Sequence, residues 1–402
     1  MSRSTRSWWR LVAVLLTMAV IGAACGSDDN NNASDDTPAA AYSIAFVGPK
    51  TGDDKNLGIN ILNGAKLAVD QFNEANNDIE ITLKEFDTQG DPKQAPGQFA
   101  AYSSDASILG LVGPAFSGET EAVVKDLQKL SLVMISSSAT RVSLADIVTP
   151  DLLTPEGYSV FHRALPNDAS QAAGIAKFIE AKYPGKSIFY VDDKQAYSTG
   201  LVEELQKVLT PKGHKDLGRS QFDKGELNMS TAVNAAAPKK PDIIFYGGYY
   251  AEAGRLKKAL GDDPRTKDAL FISGDGSLDQ GFIDGAGVNA NGSIIACPCN
   301  LATAASPGAL GTFSKDYTAA FKQDPGTYSS EAFDAANILM DGIKAGNTTR
   351  AKLLAYVEKT KSYKGISKQL DFAENGNITT TNVYLFEVKG SKFAPLTSTD
   401  DL

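Results

Sequence analysis

The residues whose types and spacing offer chemistry gather around two hydroxyl-rich turns in residues 112–140, VGPAFSGETEAVVKDLQKLSLVMISSSAT. Ser117 stands where a helix N-cap belongs, ahead of Glu119 and Glu121 and an apolar face of Val123, Val124, Leu127 and Leu130. Ser136, Ser137, Ser138, Ala139 and Thr140 follow directly on the apolar run 132–135. Free N–H groups and hydroxyls at such turns suit a small carboxylate. Any one of these residues alone reads as a helix cap; two such turns on successive strands set a binding reading beside it. Further along, Tyr197, Tyr249 and Asp275 also fall at predicted strand ends. Singly, they read as a loop shield, a core aromatic and a helix cap. Together the set supplies neutral donors for a carboxylate, one anion for an ammonium and aromatic walls for a side chain. That combination matches a zwitterionic α-amino acid.

No catalytic constellation competes with this reading. The chain has two histidines. His162 lies in an apolar strand and His214 in a lysine-rich turn, and neither has a partner in a hydrolase spacing. Neither a phosphate-binding loop nor a dinucleotide fingerprint opens a helix, so no cofactor is expected, and SGDG at 273–276 is too short to count as one. The formal charge is −9. The first 24 residues hold Arg3, Arg6 and Arg10 and no acid, so the remainder is more acidic still, which argues against a nucleic-acid partner.

The elements that must position these residues alternate between short apolar runs and amphipathic stretches, the pattern of an α/β fold with a largely parallel sheet. A first strand ends at Gly48-Pro49, and a helix follows with Ile61, Ala65, Ala68 and Phe72 on one face. IEITLKEFD is the second strand, and the stretch 112–140 supplies a strand, a helix and another strand. SVFHRALPND is a strand broken at Pro166, after which the alternation restarts. Helices are predicted at 170–183, 200–209, 330–345 and 350–360, with strands at 187–191 and in DIIFYGG, LFISGDGS and SIIACPCNL. The tail QLDFAENGNITTTNVYLFEVKG has Gly and Asn turn signals between two strands and predicts a terminal hairpin. In open parallel sheets, ligands bind outside the carboxyl ends of strands. Two α/β halves with a cleft between them is the expected architecture.

Three arginines, an apolar run from Leu11 to Ile21 and small residues before Cys25 read as a secretory signal over residues 1–24. Gly22, Ala23 and Ala24 before Cys25 are similar to a bacterial lipobox, which implies lipidation of Cys25. Residues 25–41 form a polar tether reaching about 20 Å. The expected location is therefore outside the cytoplasmic membrane, at the cell surface or in the periplasm. Cys297 and Cys299 are the remaining cysteines, readable as a tight disulfide or as two packed thiols; no further ligand completes a metal site.

At DPKQA (91–95), VMISSSAT, DDKQAYSTG (192–200), FYGGYYAEAG (245–254), FISGDG (271–276) and the helix after Tyr328, the chain resembles the periplasmic-type Leu/Ile/Val-binding proteins that serve ABC importers. The likeness covers residues 42–395. It implies a type I periplasmic-binding-protein fold, two Rossmann-like α/β lobes joined by three crossover strands near Pro166, Pro298 and Leu370. The lobes would comprise residues 42–165 plus 299–369 and residues 166–298 plus 370–402. By resemblance, Ser117 and Thr140 hold the ligand's α-carboxylate, the carbonyl of Ser138 and the carboxylate of Asp275 its α-ammonium. Ala139 lies in the same binding turn, Tyr249 packs near the ligand backbone, and Leu57, Tyr197 and Tyr328 line the side-chain pocket. Asp275 stands where glutamate is usual and Leu57 where an aromatic is common. The first-lobe disulfide of the family is absent, its positions matching Gly90 and Phe116. The function implied is a monomeric, lipid-anchored, non-enzymatic binding protein that captures a branched-chain amino acid by lobe closure and delivers it to an ABC permease. A ligand sensor, or a binder of amides, urea or other small carboxylates, is the alternative.

Overall fold

The computed structural model describes residues 40–402. The expected signal segment, the lipidation at Cys25 and nearly all of the tether lie outside the described residues. Continuous apolar runs make the first sheet: β1 (Ala40–Gly48), β2 (Ile79–Asp87), β3 (Ile108–Val112), β4 (Val133–Ser136) and β5 (Phe161–Arg163). It is parallel throughout, in the order β2-β1-β3-β4-β5. Strands β3, β4 and β5 are buried along their whole length, as parallel strands covered on both faces must be. Between them run α1 (Lys55–Ala75), α2 (Ala95–Ser103) and α3 (Ser117–Lys129).

The chain then builds a second sheet. Helix α4 (Asp168–Lys182) leads to β6 (Ile188–Asp192), α5 (Ala196–Leu209), β7 (Asp216–Gln221), α6 (Ser230–Ala236), β8 (Ile243–Gly247), α7 (Tyr250–Asp262), β9 (Leu270–Ser273), α8 (Gln280–Ala286) and β10 (Ile294–Cys297). Helices α9 (Gly308–Phe321), α10 (Ser329–Lys344) and α11 (Arg350–Glu358) return to the first sheet, where α10 lies along α1 and α11 packs on β3. A two-stranded ribbon of β11 (Tyr363–Lys364) and β12 (Gln369–Leu370) precedes β13 (Tyr384–Lys389) and β14 (Lys392–Ser398). The last two close the second sheet as an antiparallel edge, in the order β14-β13-β10-β9-β8-β6-β7. The segment from β10 to α9 carries the Cys297–Cys299 disulfide, with Cα atoms 4.9 Å apart.

Three expectations are corrected. Helix α2 occupies residues whose small and polar side chains gave no helical periodicity. The terminal hairpin joins β13 to β14 through the turn at Gly390; Asn375-Gly376 does turn, closed by a single antiparallel bridge between Phe372 and Ile378, but outside the sheet. The carbonyl of Gly376 accepts from the Arg163 N–H at 3.0 Å, and a Cβ at Gly376, whose φ is +74°, would sit 1.7 Å from the Phe161 carbonyl oxygen. The turn signal thus serves a close approach to the edge of β5. Ser117 is the first residue of α3, and Phe116 holds the cap position.

Candidate functional site

Both sheets place the candidate residues at strand carboxyl ends. Ser117 follows β3, residues 138–140 follow β4, Tyr197 follows β6, Tyr249 follows β8 and Asp275 follows β9. In each sheet the strand order reverses beside these ends, between β1 and β3 and between β6 and β8. Such a switch point opens a crevice for a ligand.

The two first-lobe turns are laced together. Ser136 Oγ donates to the Pro114 carbonyl at 2.8 Å and accepts from the Ala139 N–H at 3.0 Å. Ser138 Oγ donates to the Ala115 carbonyl at 2.5 Å. Ser117 Oγ accepts from the Arg141 N–H at 3.2 Å, which leaves its own proton available to a ligand oxygen. Beneath the second turn, Arg163 is fully buried and donates to the carbonyls of Ala139 (2.8 Å) and Arg141 (3.0 Å). A guanidinium fork fixes both carbonyls at once, so the turn between them has one conformation. The cap that Ser117 was expected to provide comes from Glu119, whose carboxylate accepts from the Phe116 N–H at 2.8 Å and from the Thr88 hydroxyl.

The second lobe contributes Asp275. Its Oδ1 accepts from the Tyr197 hydroxyl (2.6 Å) and Gln171 Nε2 (2.9 Å), and its Oδ2 from the Tyr328 hydroxyl (2.7 Å). Its N–H donates to Gln171 Oε1 at 3.0 Å. Gly274 permits this crowding: a Cβ there would lie 2.7 Å from the Tyr197 hydroxyl and 2.8 Å from Gln171 Oε1. Burial pushes the Asp275 carboxyl up, and the three donors from Tyr197, Gln171 and Tyr328 offset part of the shift. The same environment, burial first and then the Asp275 charge, raises the Tyr197 and Tyr328 hydroxyls well above their ordinary range, so both remain donors at neutral pH. Tyr328 has a left-handed backbone, φ +72°, at the N-cap of α10. Strain of this kind costs of order 1–3 kcal/mol and collects at functional sites.

Aromatic rings stand beside these groups. The Tyr249 ring lies 4.5 Å from Phe116 and 5.2 Å from Tyr197, centroid to centroid. Lys224 Nζ stands 5.3 Å over Tyr249 and 5.8 Å over Phe116. Hydrogen bonding and ring contact therefore bring Tyr197, Tyr249, Asp275 and Tyr328 together, and Ser117, Ser138, Ala139 and Thr140 form the facing turns. Leu57 is fully buried near the start of α1, beside Asn56, whose amide donates to Asp279 of the second lobe at 2.9 Å. Every one of these nine candidates is buried, none more than 6 % exposed. The lobes are closed over them. Tyr250 reaches across to the Asp53 carbonyl at 2.6 Å, and Arg141 Nη1 reaches the Ala196 carbonyl at 2.6 Å. An opening of about 540 Å³ remains at the rim, with Gln89 and Pro92 facing Asp193 and Lys224.

Four residues of this arrangement were not anticipated: Phe116, Arg163, Gln171 and Lys224. One signal was available, an arginine inside the apolar strand FHR, since a buried arginine must find acceptors. Lys224 lies in a loop of ordinary polar composition and carried none.

Residues 41–393, nearly the whole described chain, match the family described as periplasmic binding protein. The chain belongs to this family. Among curated relatives, the Leu/Ile/Val-binding protein BraC3 of Rhizobium johnstonii is 28% identical, covering 88% of this chain and 93% of its own. A leucine-, isoleucine-, valine-, threonine- and alanine-binding protein of Pseudomonas aeruginosa is 25% identical, over 94% of this chain and 95% of its own. The branched-chain amino acid transporter binding protein LivJ of Streptococcus pneumoniae, solved with isoleucine, superposes with a TM-score of 0.78 at 23% identity, over 88% of this chain and 98% of its own. An R. palustris ABC-transporter solute-binding protein solved with benzoate gives 0.77 at 21% identity, over 90% and 96%. The fold is the type I periplasmic binding protein fold. Family membership implies a location outside the cytoplasm.

Proposed function

We propose that this chain is an extracytoplasmic binding protein that captures a small α-amino acid, best a branched-chain aliphatic one, and delivers it to an ABC importer. One juxtaposition carries the reading: the pinned Ser117–Thr140 turns of one lobe receive the Asp168 N–H of the other at Thr140, and Gln171 beside Asp168 holds the buried Asp275 carboxylate. Donors on one side and an anion on the other complement the two charges of a zwitterion and fix its direction. Apolar and aromatic surface from Leu57, Phe116 and Tyr249 then selects the side chain, by about 1–3 kcal/mol per methylene. The names of the relatives, Leu/Ile/Val-binding proteins, support the same class of ligand. Closure of the lobes over the ligand is the event a permease would read, because only the closed form joins both lobe surfaces. Lipidation at Cys25 would hold the protein at the membrane. The role is binding without turnover, a reading supported by relatives named as binding proteins.

A second reading is favoured by one observation. Asp275 already accepts from three protein donors, so a ligand without an ammonium, such as an aromatic carboxylate, leaves no group of that carboxylate unsatisfied. Calorimetric titration of the ligand-stripped protein against amino acids and matched carboxylates separates the two. Tight one-to-one binding of leucine, isoleucine or valine, lost in Asp275→Asn, supports the first. Binding of carboxylates alone overturns it.

A further inference from the structure

Asp168, the first residue of α4, has a carboxylate with no structural task. The cap of that helix is supplied by Asn167, whose side chain accepts from the N–H groups of Ala169 (3.1 Å) and Ser170 (3.3 Å). The Asp168 N–H donates across the cleft to the Thr140 carbonyl at 2.8 Å, which sets the residue against the carboxylate-binding turn. Its side chain is fully buried. Oδ1 has only a long contact, 3.4 Å, with Gln171 Nε2, the same amide group that reaches Asp275 at 2.9 Å. Oδ2 makes no well-formed hydrogen bond among the described residues, and its one neighbouring donor is the buried hydroxyl of Thr140, which itself has no other partner. Gln171 thus bridges two carboxylates, and the buried Asp168 carboxyl is left with one long contact to Gln171 and one poorly formed contact to Thr140. Leaving such groups unpaired away from water is costly, so an arrangement of this kind points to a partner that is not part of the chain.

Charge counting says what the partner is. The fully buried ions here are Asp168 and Asp275 against Arg163, two carboxylates to one guanidinium. The guanidinium is already committed to the Ala139 and Arg141 carbonyls. The three donors on Asp275 are neutral and cannot cancel charge. With both acids ionised the site carries one negative charge in surplus, which a proton removes in the empty site and a single ammonium removes when a ligand is bound. Burial and the neighbouring Asp275 also push the Asp168 carboxyl up, as expected of two anions held close without a second cation.

Resting on the proposed amino-acid reading, we propose that Asp168 acts with Asp275 as a paired-carboxylate seat for the ligand's ammonium, with Gln171 as the positioning residue that holds the two acids in register. The site then discriminates by charge: α-amino acids bind, and their uncharged 2-hydroxy counterparts are refused. This decides against the ammonium-free reading, for which a second buried anion is a penalty.

The test is calorimetry on the full, ligand-stripped chain with a panel of α-amino acids, leucine among them, each paired with its 2-hydroxy analogue. The wild type should prefer the amine of the best pair. In Asp168→Asn, which keeps the shape of the side chain, affinity for the amine should fall by about 30-fold or more while the hydroxy acid changes by less than about threefold. Asp168→Glu, which keeps the charge, should retain more amine binding than Asp168→Asn. A wild type that binds the amine tightly, with an Asp168→Asn variant that binds it equally well or loses both ligands in parallel, overturns the paired seat and leaves the proposed function standing. A wild type that prefers the hydroxy acids, or binds no member of the panel, overturns both.

Discussion

Lys224 Nζ stands 2.8 Å from Asp54 Oδ2, an ion pair that joins the two lobes across the cleft. The same ammonium donates to the Gly90 carbonyl at 2.9 Å and covers the faces of Tyr249 and Phe116. Asp54 is fully buried in the closed form. Opening the cleft would hydrate both partners, so the pair acts on the equilibrium between open and closed forms more than on folding. In Lys224→Met, closure buries an uncompensated carboxylate. Ligand affinity should fall by about 10- to 100-fold, or about 1.4–2.8 kcal/mol. The radius of gyration of the ligand-free protein, by small-angle scattering, should rise, and Asp54→Asn in the same chain should recover part of both effects. An unchanged radius and affinity would show that the pair contributes nothing to closure.

Glu119 gives the stability a pH dependence. It is fully buried, and burial pushes its carboxyl up to about 7 despite the donors from Thr88 and Phe116. The folded form therefore binds a proton that the unfolded chain, titrating near the usual 4.5, has already released. The stability tied to this proton is fully present below about pH 4.5 and is lost as pH rises through about 7, on the order of 3 kcal/mol over the interval. Asp193, raised by burial to about 6, acts with the same sign. Urea unfolding should give a higher free energy at pH 5.5 than at pH 8, and Glu119→Gln should shrink the difference. An equal difference in the variant would assign the dependence to other groups.

Arg163 fixes the binding turn from beneath, so Arg163→Lys should cost more than a change of shape. A lysine ammonium is a point donor and cannot hold the Ala139 and Arg141 carbonyls together. It also forfeits the stacking of the guanidinium over Phe161, 4.6 Å from the ring centroid. Ligand affinity should drop by about tenfold or more, with a lower melting temperature. Amide exchange in residues 138–141 should speed up. Unaltered exchange there would remove the pinning role.

The Cys297–Cys299 bridge closes a ring of three residues, which gives a small gain in loop entropy, about 1.5 kcal/mol. Changing both cysteines to serine should therefore leave unfolding free energy within about 2 kcal/mol of the wild type. The effect should appear in motion instead, as faster ligand release in stopped-flow measurements, because the bridge lies in the passage from β10 to α9. A large loss of stability with unchanged release would reverse that assignment.

Much of this arrangement was legible because parallel strands buried on both faces write continuous apolar runs. The runs at 108–112, 133–136 and 243–247 gave the strands, and the polar residue that follows each gave a candidate. What the sequence could not convey was pairing. Gln171 and Asp275 are 104 positions apart, and nothing local in either marks the other. Nothing local sets Asp168 apart from an ordinary helix-start acid; only the structure shows that Asn167 before it does the capping. The turn at Asn375-Gly376 forms as its chemistry demands, but it closes one bridge, Phe372 to Ile378, and packs on β5, while the hairpin of the sheet lies further on at Gly390. Ser117 was off by one position because Glu119 caps α3 from inside the helix, which a hydroxyl-first rule does not anticipate.

Helix α1 lies along α10, its partner from the far side of the chain. Leu57, Ile61, Ala65 and Ala68 of α1 are fully buried in the finished lobe. During synthesis, α1 emerges among the first elements and waits for nearly all of the rest. Strands β6 to β10, by contrast, are contiguous and can assemble as they appear. The lobe that begins the chain thus keeps an open core until α10 is made, and a nascent chain ending before Ser329 holds five of the seven strands of the second sheet beside it.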